Sequence, residues 1–185
     1  KILQNKVMSR KILLTSFQTW LPHQKSNSSD DLLNLINLVN IHKVQQLKLN
    51  SLLFLRQLPV NIELATQQVI DAIKVINPHG IICCGMAESR SELSLESCAS
   101  WGQDCIFTKV NLNELVNCLN DTNISHNSGK FVCEGLYYWV LKYIQTEKLY
   151  LPCIFVHVPA LLPDNLSLIE ADFQAIIQFM QSIEA

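Results

Sequence analysis

From residue 11 onward the chain alternates short apolar runs with segments whose apolar residues recur every three to four positions. Lys11-Ile12-Leu13-Leu14-Thr15, closed by Ser16-Phe17, has the build of a buried first strand. The polar stretch 18–29, with Trp20 and Pro22, reads as a loop at that strand's carboxyl end. Ser28 or Ser29 can cap a helix whose first turn holds Asp30 and Asp31, and whose apolar face is Leu32, Leu33, Leu35, Ile36 and Val39. Leu47 to Pro59 predicts a second strand. Leu64, Val69, Ile70, Ile73 and Ile76 keep the 3.6 period of a helix over Ile62–Ile76, which Asn77-Pro78 stops, since the residue before proline disfavours the helical region.

Ile81-Ile82-Cys83-Cys84-Gly85 predicts a third buried strand. Met86 to Trp101 carries Leu93, Leu95 and Ala99 at period two and reads as extended. Asn111 to Leu119 predicts a short helix. A turn-prone run, Ser125-His126-Asn127-Ser128-Gly129, then leads into a helix with Leu136, Val140, Leu141 and Ile144 on its apolar face and Cys133 in its first turn. Leu151 to Val158 is a last buried strand, and Leu166 to Ile183 a C-terminal amphipathic helix. The alternation predicts an α/β fold: a three-layer α/β/α sandwich with a mostly parallel, mixed central sheet. Residues 10–185 are expected to form its single domain. Residues 1–9 match none of these patterns and are expected to be a flexible extension, or coding upstream of a start at Met8.

Composition narrows the function classes. Hydrophobic residues make up 49%, charged ones 16%, and the formal net charge is -2. No electrostatic footprint for nucleic acid or an anionic membrane follows from that balance. The only arginines are Arg10, Arg56 and Arg90. The seven cysteines are odd in number and scattered, without zinc-type spacing, and a reducing, cytoplasmic compartment fits best. No apolar run reaches membrane-span length, and the first residues lack the build of a signal peptide.

In open α/β sheets functional groups gather at the carboxyl ends of the strands. That edge is expected to receive Phe17, Trp20, the region of Glu96, and His157, with Cys133 entering from its loop–helix junction. A cysteine there feels the positive end of the helix dipole and free backbone N–H groups, which favour thiolate. Cys133 remains open to two readings, nucleophile or small buried thiol. His157 sits in the apolar run Ile154 to Pro159, where a histidine needs partners, whether catalytic groups or backbone. A thiol nucleophile needs a base within reach and a polar group to orient that base. Cys133, His157 and Glu96 supply those types.

The phrases GKFVCEGLYYWVL and CIFVHVPALLPD resemble the nucleophile and histidine segments (T-F-V-C-N and F-I-H-V-P) of the pyroglutamyl peptidase, or pyrrolidone-carboxylate peptidase, family of cysteine peptidases. The spacing of 24 positions from Cys133 to His157 fits as well. CCGMAESRSELSLESCAS is similar to the family's glutamate motif, with Gly85, Ala87, Arg90, Ser94, Glu96 and Ala99 matching. RKILLTSFQTW resembles the N-terminal K-I-L-V-T-G-F-x-P-F, and Leu58-Pro59-Val60 its second strand. The resemblance implies Cys133 as nucleophile, His157 as general base and then acid, and Glu96 as the group orienting the imidazole. It implies substrate contacts from Phe17, Trp20, Met86, Phe131 and Val132, with Phe17 and Trp20 sandwiching the pyrrolidone ring. The implied reaction is removal of N-terminal pyroglutamate from a blocked peptide through an acyl-enzyme, without cofactor or metal; the resemblance leaves a homo-oligomer open.

The chain departs from the pattern around this site. Only 37 positions separate Glu96 from Cys133, and the family's A-R-I-P-D-N-x-x-G segment, whose arginine assists the oxyanion, is absent. Lys109 and Lys130 are the cations left to stand in, and a flexible ammonium does not reproduce a fixed guanidinium. Leu21-Pro22 and Glu88-Ser89 replace glycine pairs, Met86 a glutamine, Ser97 a basic residue and Trp101 an asparagine. Two further readings therefore stand beside the peptidase: a weakened or inactive homologue acting as a binding module, and an amidase of changed specificity.

Overall fold

The computed structural model describes residues 10–47, 51–129 and 131–184. The expected flexible extension at residues 1–9 lies outside them. The elements in chain order are β1 (Ile12–Phe17), α1 (Ser28–Leu47), β2 (Leu52–Leu58), α2 (Ile62–Ile76), β3 (Gly80–Met86), β4 (Leu93–Glu96), β5 (Cys98–Trp101), β6 (Asp104–Phe107), α3 (Leu112–Val116), β7 (Thr122–Ser125), α4 (Val132–Thr146), β8 (Cys153–Val158) and α5 (Leu166–Ser182). Six strands form one sheet in the order β2-β1-β3-β8-β4-β7, and β5 and β6 form a separate hairpin. β2, β1, β3 and β8 run parallel; β4 pairs antiparallel with β8 and parallel with β7. The sheet is thus mostly parallel and mixed.

Alternation along the buried strands sends successive side chains to opposite faces. Ile12, Leu14, Ile82, Cys84, Ile154, Val156, Leu93 and Leu95 meet α1, α3 and α5 on one face. Leu13, Ile81, Cys83, Cys153 and Phe155 meet α2 and α4 on the other. Helix α2 starts on Asn61, whose side chain accepts from the Leu64 N–H, and ends at Asn77 in the left-handed region, φ 48°.

Four expectations change. Helix α1 extends to Leu47, and β2 begins at Leu52, so the predicted strand from Leu47 loses its first residues; residues 48–50 are outside the described ones. The extended stretch 86–101 divides at Ser97 into β4 and β5, which sends Ala99 to the α4 face while Leu93 and Leu95 face the other layer. α3 is shorter than Asn111–Leu119, with Asn111 as its cap. β6 and β7 are unpredicted: each is a four-residue strand without a fully buried face, so no alternation marks it.

Candidate active site

The parity that builds the core also assembles the site. β8 places His157 on the α4 side of the sheet, two residues beyond Phe155. Its partner across β3 is Gly85, and on β4 it faces Ser94, with Glu96 two residues further along the same face. Glu96, His157 and Gly85 therefore share one sheet face, towards the start of α4. Cys133 is the second residue of α4, whose N-cap, Phe131, supplies no side-chain cap. The first-turn N–H groups are thus left open to a ligand.

His157 Nδ1 and Glu96 Oε1 are 2.6 Å apart, with Glu96 fully buried and His157 nearly so. A carboxylate only accepts, so Nδ1 carries the hydrogen and Nε2 is left to face the cleft as a base. Burial would raise the Glu96 carboxyl, but the hydrogen bond from His157, the nearby Ser125 hydroxyl and the charges of His157 and Arg90 hold it below its usual range. Tyr137 Oη donates to the Glu96 carbonyl at 3.2 Å, fixing the backbone behind it.

Cys133 differs from the expectation of a helix-stabilised thiolate. Its thiol is pushed up to about 12, first by burial and next by the charge of Glu96; its own backbone N–H and Arg90 oppose this without prevailing. The sulfur lies over Gly85: a Cβ placed there would stand 2.6 Å from Cys133 Sγ and 2.9 Å from Phe155 Cζ. Among the described residues no hydrogen bond joins Sγ to His157. Gly85 and His157 are direct neighbours across β3 and β8, and paired strands stand about 4.8 Å apart. The sulfur over Gly85 therefore lies about one strand spacing from the strand that carries the imidazole. Gly85→Ala is expected to lower the unfolding free energy by about 1–3 kcal/mol through overpacking against Sγ and the Phe155 ring. Urea unfolding checks this, and wild-type stability would mean that the sulfur does not occupy that slot.

A cleft of about 390 Å³ opens here, lined by Phe17, Trp20, Met86, Phe131, Val132, Cys133 and His157 among others. Seven of the eight residues singled out in the sequence thus meet in one cavity, and the eighth, Glu96, sits behind His157. Trp20 and Phe131 are both exposed and pack with ring centroids 5.0 Å apart, forming one rim; Phe17 is buried as the floor. Met86 is held by its sulfur, which accepts from the Ser28 N–H at 3.3 Å. Lys109 lines cavities elsewhere and does not reach this cleft; Lys130 lies outside the described residues. Asn127, Ser128 and Arg90 also line the cleft, and sequence reasoning gave them no role. Arg90 was legible only as a motif match, although a lone arginine beside a buried glutamate is a pairing signal.

A buried ion pair braces the floor. Asp30 accepts from Arg56 Nε at 2.8 Å and Nη2 at 2.9 Å, from Ser16 Oγ at 2.7 Å and from Gln57 Nε2 at 3.1 Å. Ser16 precedes Phe17, and Gln57 adopts φ 58° where the β1–β2 register shifts. Burial raises the Asp30 carboxyl, yet these partners, Arg56 first, leave it lowered. A depressed carboxyl contributes stability that is present above its unfolded value and lost as pH falls through the native one. Asp30→Asn is expected to cost about 1.5–3 kcal/mol at pH 7, with a gap from wild type that narrows below about pH 4. Denaturant titrations at pH 7 and pH 3 check it, and an equal gap at both would remove the ionic contribution.

The fold and cleft define a three-layer α/β protein with a thiol, an imidazole and a carboxylate gathered at one edge of its sheet. The chain is similar in sequence and in fold to known peptidases. It is 26% identical over 200 residues to pyrrolidone-carboxylate peptidase 1 of Caldanaerobacter subterraneus subsp. tengcongensis, covering 94% of each chain. It is 26% identical over 175 residues to the pyrrolidone-carboxylate peptidase of Brachyspira hyodysenteriae, covering 80% of this chain and 83% of that one. The crystal structure of pyroglutamyl peptidase I from Bacillus amyloliquefaciens superimposes with a TM-score of 0.75 at 19% identity, over 96% of this chain and 100% of that one. The E192I mutant of the pyrrolidone carboxyl peptidase from Pyrococcus furiosus gives 0.73 at 17% identity, over 92% and 97%. No protein-family model matches the chain. The chain is thus similar in sequence, at 26–28% identity, to proteins named pyrrolidone-carboxylate peptidase, and it has the fold of pyroglutamyl peptidase I.

Proposed function

We propose that the protein is a cysteine omega-peptidase that removes N-terminal pyroglutamate from peptides, with Cys133 as nucleophile, His157 as base and then acid, and Glu96 as the orienting carboxylate. The observation that carries this reading is the 2.6 Å bond between His157 Nδ1 and Glu96 on the sheet face where Cys133 Sγ rests. In the reaction His157 Nε2 takes the thiol proton as sulfur attacks the pyroglutamyl carbonyl. The proton passes to the leaving amine, and water, activated by the same imidazole, then frees 5-oxoproline. The high Cys133 value means that the resting thiol is neutral and that the thiolate exists only as its proton leaves for His157. Oxyanion stabilisation falls to the open first-turn N–H groups of α4, that of Cys133 among them. The aromatic walls suit a ring that is compact, flat and uncharged.

The test is release of the leaving group from a pyroglutamyl chromogenic amide, with Cys133→Ser as control. Equally slow release from both proteins rejects the reading for this substrate. A second reading, a module that binds blocked peptide ends without cleaving them, is favoured by the missing Sγ–His157 hydrogen bond and the raised thiol. It predicts saturable binding of a pyroglutamyl peptide with no product. All seven cysteines are free thiols, which supports a reducing, cytoplasmic setting. Among the described residues no helix is long and apolar enough to cross a membrane.

A further inference from the structure

Of the three arginines, Arg10 binds the carbonyls of Gln181 and Ile183, Arg56 binds Asp30, and Arg90 lines the cleft. Arg90 Nη1 donates to Glu96 Oε1 at 2.8 Å, the same oxygen that takes the hydrogen of His157 Nδ1. Its Nη2 donates to the Asn127 carbonyl at 3.1 Å and to Ser125 Oγ at 3.4 Å. Glu96 Oε2 has no direct partner, so Oε1 alone carries both bonds. The guanidinium thereby joins the carboxylate at the end of β4 to the last residue of β7 and to the 126–129 loop that leads into α4.

We propose that Arg90 is a positioning residue of this site, holding Glu96 against His157 and, through the Asn127 carbonyl, holding the loop that delivers Cys133. The inference rests on the catalytic reading given above. A planar fork fixes two partners at once in a way that a single ammonium does not. Because both arms are engaged within the protein, Arg90 is not available to the oxyanion and does not replace the arginine of the missing segment. It also shares the carboxylate's charge. Among the described residues, the charged or titratable groups facing His157 are Glu96 from β4, Cys133 from α4 and, through Glu96, Arg90 from the loop after β3; Gly85, Met86 and Phe155 carry no charge.

Two variants separate these roles. Arg90→Met removes charge and fork; Arg90→Lys keeps charge and loses the fork. In Arg90→Met the charge of Glu96 is no longer shared, and the titration of the His157 ring protons, followed by NMR, is expected to move to higher pH. The same variant is expected to lose kcat on a pyroglutamyl amide by about 10- to 100-fold, from misplacement of the reacting groups, with KM changed much less. Arg90→Lys is expected to return the titration towards wild type while kcat stays low. Where Arg90→Met does not fold, Arg90→Lys decides alone: wild-type kcat in it overturns the proposal. An active wild type whose Arg90→Met variant titrates and turns over unchanged sinks the proposal and keeps the peptidase reading. A wild type that cleaves nothing, while Arg90→Met still moves the His157 titration, sinks the peptidase reading and keeps the Arg90–Glu96–His157 linkage.

Discussion

Replacing Cys133 by serine is expected to lower kcat for pyroglutamyl amide hydrolysis by about 10⁴-fold or more. The substitution exchanges sulfur for oxygen in a slot bounded by Gly85 and the Phe155 ring, so the fold has little reason to change. Chemistry changes greatly. A serine hydroxyl is a far weaker acid than even a thiol raised to about 12, and the imidazole has been arranged, on this reading, to take a thiol proton. What survives is catalysis by positioning and by the α4 N-terminal amides, which accelerates the reaction over water without a nucleophile. Steady-state kinetics with matched thermal unfolding of both proteins check it. A variant that keeps more than about a tenth of wild-type kcat would assign the reaction to another group.

Glu96→Gln is expected to reduce kcat by about 10³- to 10⁴-fold, because an isosteric amide can hold the imidazole without stabilising its cation. The position is fully buried, so volume is kept while charge is lost. The amide oxygen can still receive Arg90 and His157, but its NH₂ then takes the place of Oε2, which has no direct partner. A buried donor without a partner and an arginine without its anion cost about 1–3 kcal/mol together with the lost charge-assisted bonds. The pH dependence has a fixed sign. The native Glu96 carboxyl is depressed, so its contribution is complete above the unfolded value of about 4.3 and disappears as pH falls through the native one. The stability gap between wild type and Glu96→Gln should therefore close in acid. Kinetics at pH 7 and urea titrations from pH 7 to 3 measure both effects; unchanged kcat would remove Glu96 from the machinery.

Legibility followed burial. β1, β3 and β8 are buried on both faces, and each appears in the sequence as a run of apolar residues. α2 is legible because its apolar spacing and the Asn77-Pro78 stop agree, and the structure adds the Asn61 cap. β6 and β7 leave no such trace, since exposed four-residue strands carry side chains chosen for solvent or for local contacts. The region between Glu96 and Cys133 was least legible for that reason, and there the β5–β6 hairpin, α3 and β7 occupy the chain. At the site, Cys133, His157 and Glu96 were named by chemical type and motif. Arg90 matches the motif without a role, because that role depends on Asn127 and Ser125, far from it in sequence but adjacent at the β4–β7 edge.

The sequence by itself determined the layering of helices and strands, the edge at which polar groups collect and the residue types available for acyl transfer, because hydrophobic period and local turn chemistry are written in consecutive residues. Only the tertiary structure decided the state of those groups. Helix position alone favours a Cys133 thiolate, yet packing over Gly85 and the nearby Glu96 charge raise the thiol to about 12. Spacing alone leaves Glu96 a polar residue in an extended stretch, yet the β4–β8 register buries it between His157 and Arg90. Both outcomes come from desolvation and from charges brought close by chain segments dozens of residues apart, and neither quantity exists until the sheet has formed.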